Sequence, residues 1–249
     1  MSHARNFGLQ SYCLRTTRDN AAVAAQVRDL GLDRIEVCAA HIDFNDPAEH
    51  AAVIAAYREA GVEIVSIGVQ TFTGDAERER RWCAFAQAAG AKHISAHFCI
   101  DSFTTAIPAA CRLAEEYDLR IAVHCHGGYQ FGGQPAVLDH FLQLGTDRLG
   151  ICLDTAWCMQ IGPQQGDPLA WIDRFGSRIY GVHYKDFVFE PDAAWRDVVV
   201  GSGNLDLPAV VDALDRVGFD GYAVIEYEGD PDDPMPALGE CVERMRALC

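Results

Sequence analysis

Short apolar runs rich in β-branched residues recur along this chain roughly every thirty residues. Each is followed by an Ala- or Leu-rich stretch at helical spacing, the repeat of a strand–helix crossover unit. The runs fall at 7–12, 34–38, 63–68, 93–98, 119–125, 149–154, 178–183 and 222–226. Helices are expected at 17–30, 47–60, 75–89, 102–117, 134–144, from Asp167-Pro168 onward, at 209–217 and at 236–248. Several begin at Asp or Pro and end at Gly, the usual stop and start chemistry. After the seventh run a longer polar loop is expected, carrying Gly201-Ser202-Gly203-Asn204 into the next helix. Strands alternating with helices imply a parallel sheet with right-handed crossovers. Eight such units in 249 residues match an α/β fold of one kind, a single (β/α)8 TIM barrel. The open doubly wound alternative lacks support, because no Gly-x-Gly-x-x-Gly follows the first run. With no linker or low-complexity segment, one domain over 1–249 is expected.

Charge narrows the partners. There are 20 Lys and Arg against 36 Asp and Glu, a net charge of −16 that repels phosphate backbones and argues against nucleic acid. No run approaches the roughly 20 apolar residues of a membrane span. The first residues lack the apolar region of a secretory signal. The ten cysteines are scattered without a Cys-x-x-Cys, which suits reduced thiols packed as small hydrophobes. A cytoplasmic protein without a membrane partner is expected, with self-association left open.

In a barrel of this type the site lies at the C-terminal ends of the strands. Four successive runs end in residues able to bind a metal: His124 and His126, Asp154, His183, and Glu226. A carboxylate after Ala223-Val224-Ile225 is costly unless paired or metal-bound. Asp154 reads equally as a helix N-cap, and Glu228 lies two residues beyond the preferred Glu226. His124 and His126 share a strand face; one is a ligand while the other faces substrate. The donor set of Asp, Glu and His suits one Mn, Zn, Co or Fe ion, with Mg as a further candidate. Lys185 lies on the face of His183, either as a rim ion pair or as the cation that stabilises an enolate. Glu36 and His97 end other strands as candidate substrate contacts; Glu36 reads also as a general base or a rim ion-pair partner, and His97 as a satisfied histidine. His3, His41, His50, His93 and His140 read as structural or exposed.

The segments Phe7-Gly8-Leu9-Gln10-Ser11-Tyr12, Leu153-Asp154-Thr155-Ala156, Gly181-Val182-His183-Tyr184-Lys185-Asp186, Gly203-Asn204-Leu205-Asp206 and Gly218 to Glu228 resemble the xylose isomerase-like TIM barrels. That group includes ketose 3-epimerases, hydroxypyruvate isomerase, inosose dehydratase and endonuclease IV. The resemblance implies a divalent metal held by four strand-end residues, with Asp154, His183 and Glu226 in the positions of the sixth, seventh and eighth strands. The fifth strand of the family usually supplies Glu, and here the position is His124. The epimerase-type His three residues after the sixth-strand Asp is Trp157, suited to stacking on a sugar face. The frequent Gly-Glu-Gly is Gly201-Ser202-Gly203. A His-x-His followed by Gly is closer to the inosose dehydratase type.

The first expectation is therefore a metal-dependent isomerase or epimerase acting on a small carbohydrate substrate: a sugar, keto-sugar or polyol derivative. Glu226, or a histidine of the His124/His126 pair, takes the proton beside the carbonyl, with Lys185 stabilising the enediolate. The second is a dehydratase on a related keto-sugar or cyclitol, and the third a sugar-binding barrel without catalysis.

Overall fold

Helix starts in this chain are set mainly by aspartate. Asp19, Asp46, Asp75, Asp154, Asp167 and Asp206 are N-caps whose carboxylates accept backbone N–H groups of the first turn. The negative side chains also oppose the positive helix ends, so part of the acidic excess has a local structural use. Pro47 and Pro168 occupy first-turn positions, where a missing N–H costs nothing.

The computed structural model describes residues 2–127, 131–192 and 194–248. The first half comprises β1 (Phe7–Gln10), α1 (Asn20–Asp29), β2 (Arg34–Val37), α2 (Pro47–Glu59), β3 (Glu63–Phe72), α3 (Ala76–Ala89), β4 (His93–Phe98) and α4 (Phe103–Glu116). Then come β5 (Arg120–His124), α5 (Pro135–Leu144), β6 (Leu149–Asp154), α6 (Thr155–Met159), α7 (Pro168–Phe175) and β7 (Ile179–Tyr184). The chain continues through β8 (Asp186–Phe189), β9 (Trp195–Val198), α8 (Leu207–Arg216), β10 (Tyr222–Ile225) and α9 (Met235–Arg246).

Eight strands close into a parallel barrel in the order β1-β10-β7-β6-β5-β4-β3-β2. This is the expected (β/α)8 barrel. Two elements depart from the expected series. The segment read as a polar loop contains an antiparallel hairpin, β8–β9, pairing Asp186 with Val198 and Phe189 with Trp195. Its strands are four residues each and partly exposed, too short to give a periodic signal. The second addition is α6, one short turn of helix directly after β6. The third strand also outruns its expected end at Gly68, continuing to Phe72 through a register shift between Ile67 and Gln70. Gly68 is required there: a Cβ would lie 2.6 Å from Ser95 Cβ, and its φ is +152°.

Side-chain alternation divides the strands into two layers. Leu9, Ile35, Ile94, Ile121, Leu153, Val182 and Ile225 join the buried core with the helices. The opposite face lines a narrow interior. A Cβ on Gly181 would come within 2.8 Å of His93 Nε2, and one on Gly150 would strike the Tyr180 ring. The interior carries Gln10, Glu36, Ser66, Ser95, His124, Asp154 and His183, all buried. Among the described residues, no helix is long and apolar enough to cross a membrane.

Candidate metal centre

Strand register brings the expected ligands level with one another. Asp154 pairs with His183 across β6 and β7, and Cys152 with His124 across β5 and β6. Glu226 extends β10 by one rung, its N–H donating to Tyr184 O. His124, Asp154, His183 and Glu226 each offer one ligand atom, and these lie within 4.8 Å of one another, with all four residues buried.

Asp154 combines both roles open to it in the sequence. Its Oδ1 accepts Ala156 N–H (3.0 Å) and Trp157 N–H (2.9 Å), capping α6. Its buried Oδ2 has no hydrogen-bond partner, and neither ring nitrogen of His124 has one. Orphaned buried polar atoms are expensive unless something satisfies them. A divalent cation would satisfy Asp154 Oδ2 and one His124 ring nitrogen together, so the two imidazoles and two carboxylates fit such an ion. Burial pushes the Asp154 carboxyl up to about 7. Burial, then the nearby His183, holds His124 well below the usual histidine range.

His183 is held from both sides. Its Nδ1 is hydrogen-bonded to Glu226 Oε2 (2.9 Å), and its Nε2 lies 3.1 Å from Glu36 Oε1 at an angle short of a hydrogen bond. Burial would lower His183, but Cys152, Glu36 and Glu226 outweigh it and raise it. Glu36 is 1% exposed and accepts from Gln10 Nε2 (2.7 Å), Ser66 Oγ (2.6 Å) and Ser95 Oγ (2.9 Å). The structure thus places Glu36 one layer below the site, behind His183, rather than at a rim. Burial opposes its charge, but His183 and His93 hold it well below the usual carboxylate range. Such a carboxylate–imidazole contact orients a ligand ring.

Lys185 follows β7 directly and is 1% exposed. Its Nζ pairs with Glu228, lies 3.5 Å from Asp197 of the hairpin and 4.0 Å from Glu226 Oε2, near the faces of Trp157 and Phe187. Burial would raise the Glu226 carboxyl, but Lys185 and His183 hold it well below its ordinary range. The neighbouring Asp186 points away and accepts N–H groups of Gly201, Gly203 and Leu205, bracing the loop that precedes α8.

Above the cluster opens a cavity of about 310 Å³, walled by Tyr12, His97, His124, His126, Glu226 and Glu228 with smaller residues between. The expected pairing of His124 and His126 on one strand face needs correction: β5 ends at His124, and a tight turn with His126 N–H on His124 O follows. His124 joins the four-residue cluster and His126 does not, although their rings remain 5.7 Å apart over the same cavity. His97 is the penultimate residue of β4, with Nε2 buried and unpartnered; burial, then His124 and His126, lowers it to about 3. Trp157 packs 4.7 Å from His126 and 4.9 Å from Phe187, with Trp195 of the hairpin at 5.6 Å, forming an aromatic wall. His3, His41 and His50 each contact a backbone carbonyl through a ring nitrogen, and His93 lies beside Glu36.

The model for the xylose isomerase-like TIM barrel matches residues 24–248. The chain belongs to this family. Among curated relatives, an inosose dehydratase of Klebsiella pneumoniae is 32% identical over 137 residues, spanning 48% of this chain and 44% of that protein. The aligned part is less than half the length of the curated relatives. A xylose isomerase-like TIM barrel protein from Mycobacterium smegmatis, solved in complex with magnesium, superposes with TM-score 0.78 at 14% identity, covering 100% of this chain and 98% of that one. D-allulose 3-epimerase from Methylomonas sp. superposes with TM-score 0.74 at 15% identity over the full length of both chains.

Within this xylose isomerase-like barrel, the three departures from the epimerase-type pattern now have places. His124 occupies a corner of the ligand cluster, Trp157 forms the aromatic wall, and Ser202 turns aside to donate to Val199 O (2.6 Å). Two participants escaped sequence reasoning, the Gln10, Ser66 and Ser95 cradle of Glu36 and the hairpin with Asp197, while Glu228, set aside there in favour of Glu226, is a cavity wall. Only Glu228 left a signal, its two-residue spacing from Glu226.

Proposed function

We propose that this chain is a metal-dependent enzyme that removes a proton from the carbon beside the carbonyl of a small keto-sugar or keto-cyclitol. The observation that carries this reading is the buried quartet His124, Asp154, His183 and Glu226, with unpartnered ligand atoms at the floor of the cavity. A divalent ion bound there supplies Lewis acidity to a carbonyl oxygen. The chain's residues do the rest. Glu36 and Glu226 fix the His183 ring, Lys185 keeps Glu226 charged, and the Trp157 wall excludes water from one side.

One observation reverses the order of the two outcomes expected from sequence. The cavity-lining carboxylates, Glu226 and Glu228, stand on the β10 side, while β4 and β5 present imidazoles. Epimerisation removes a proton on one face and returns it on the other, a task for two matched groups. A carboxylate facing imidazoles instead suits removal of C–H on one side and proton delivery to a departing hydroxyl on the other. The inosose dehydratase likeness supports the same outcome. Product mass after incubation of the metal-loaded enzyme with a keto-cyclitol and with D-allulose tests this. Loss of one water identifies the dehydratase. Retention of that water with one solvent deuterium gained at carbon in D₂O identifies an isomerase or epimerase instead. A result that shows neither water loss nor deuterium uptake overturns the proposal.

A further inference from the structure

We propose that Glu228 is the residue that takes the substrate's C–H proton, an assignment resting on the enolising function above. Glu226, the expected base, is committed elsewhere: it belongs to the ligand quartet, and its Oε2 engages His183 Nδ1 and faces Lys185. His124 stands where the family's second ligand carboxylate is expected. Glu228 is the carboxylate of the cavity wall outside the quartet.

Its geometry suits the task. The main chain is fixed by Arg15, whose Nη2 donates to Glu228 O (2.7 Å), and Arg15 itself lies over the Tyr12 ring. At the other end, Lys185 Nζ donates to Glu228 Oε1. Among the described residues, Oε2 has no hydrogen-bond partner. The Glu228 side chain is 33% exposed against 10% for Glu226, so a proton it receives has a route to solvent. Lys185 spans the two carboxylates and is a positioning residue, its ammonium enclosed among them. In the strand order β10 lies diametrically across the barrel from β4, so Glu228 and His97 approach a bound molecule from opposite sides.

The step balances within substrate and side chain. The C–H bond breaks, its proton forms an O–H bond on Glu228, and the electron pair enters the enolate. When the enolate reforms the carbonyl, the β C–O bond breaks with its pair. The hydroxide takes a proton from the imidazole side of the cavity and leaves as water, and the proton held by Glu228 passes to solvent, from which the imidazole is reprotonated, so both groups are restored.

The experiment compares wild type, Glu228→Gln and Glu228→Asp, each loaded with Mn²⁺. Metal content, thermal unfolding, polyol binding by calorimetry with myo-inositol, and hydrogen exchange into a keto-cyclitol and into D-allulose in D₂O are measured. The expected result for Glu228→Gln is unchanged metal content and unfolding, myo-inositol affinity within a few-fold, and exchange reduced at least about a hundredfold. Glu228→Asp is expected to recover part of the exchange. Glu228→Gln with near-wild-type exchange, or with its metal lost, overturns the assignment while leaving the enolising function in place. Wild-type protein without exchange on either probe overturns that function and the assignment together.

Discussion

The two flanks of the cavity are built from different materials. On the β7–β10 side, Glu226, Glu228 and Asp197 surround the buried ammonium of Lys185, so charge is answered by charge within the chain. On the β4–β5 side, His97 and His124 hold buried ring nitrogens without protein partners. The first flank holds its own cation among three carboxylates, with Asp197 Oδ1 still unpartnered; the second offers imidazoles alone. A buried ion pair contributes little net stability yet is costly to break, whereas an unpartnered imidazole is stable only while neutral or bound. The difference teaches which side was shaped for holding and which for receiving.

Removing the residue that joins the flanks has the largest expected effect. His183→Ala breaks the contacts with both Glu36 and Glu226, and elemental analysis should find bound metal falling from about one ion per chain to none. Retained metal would dissolve the comparison altogether. Next comes the carboxylate flank alone. Lys185→Met leaves buried carboxylates without their cation, and urea unfolding should register a loss of about 3–5 kcal/mol. Glu36→Gln sharpens the comparison by loosening one ligand ring without touching either flank's charges. Competition with a chromophoric chelator should give metal affinity lower by about 10–100-fold, with the fold retained. Acid acts on the same atoms more gradually. Because burial raises Asp154 to about 7, a proton competes for its oxygen as pH falls through that value, so metal occupancy should decline below pH 7 and recover above it. Trp195→Ala should change stability least, by under about 0.5 kcal/mol, since the ring is 46% exposed.

The barrel and the four residues that cluster at its strand ends were legible because both rest on periodicity. A buried parallel strand is a continuous apolar run, and a polar residue terminating it stands out. Asp154, His183 and Glu226 each end such a run. What the sequence concealed depends on backbone closure instead. Nothing in Gln10, Ser66 or Ser95, separated by up to 85 positions, signals a shared interest in Glu36 until the barrel brings them together. The hairpin was hidden by its brevity, and His126 by a turn that rotates it off the strand just after His124.

Asp154 also has a consequence for how the protein can be observed. One of its oxygens fixes the opening turn of α6, the other is buried without a partner, and Trp157 is the third residue of that helix. Ion loading and the attitude of the indole are therefore tied to a single side chain. Trp82 and Trp171 are buried within other elements, while Trp195 packs against Trp157 and shares its surroundings. An ion bound at the free Asp154 oxygen is therefore expected to change the intrinsic fluorescence of Trp157, a readout that needs no label and no substrate.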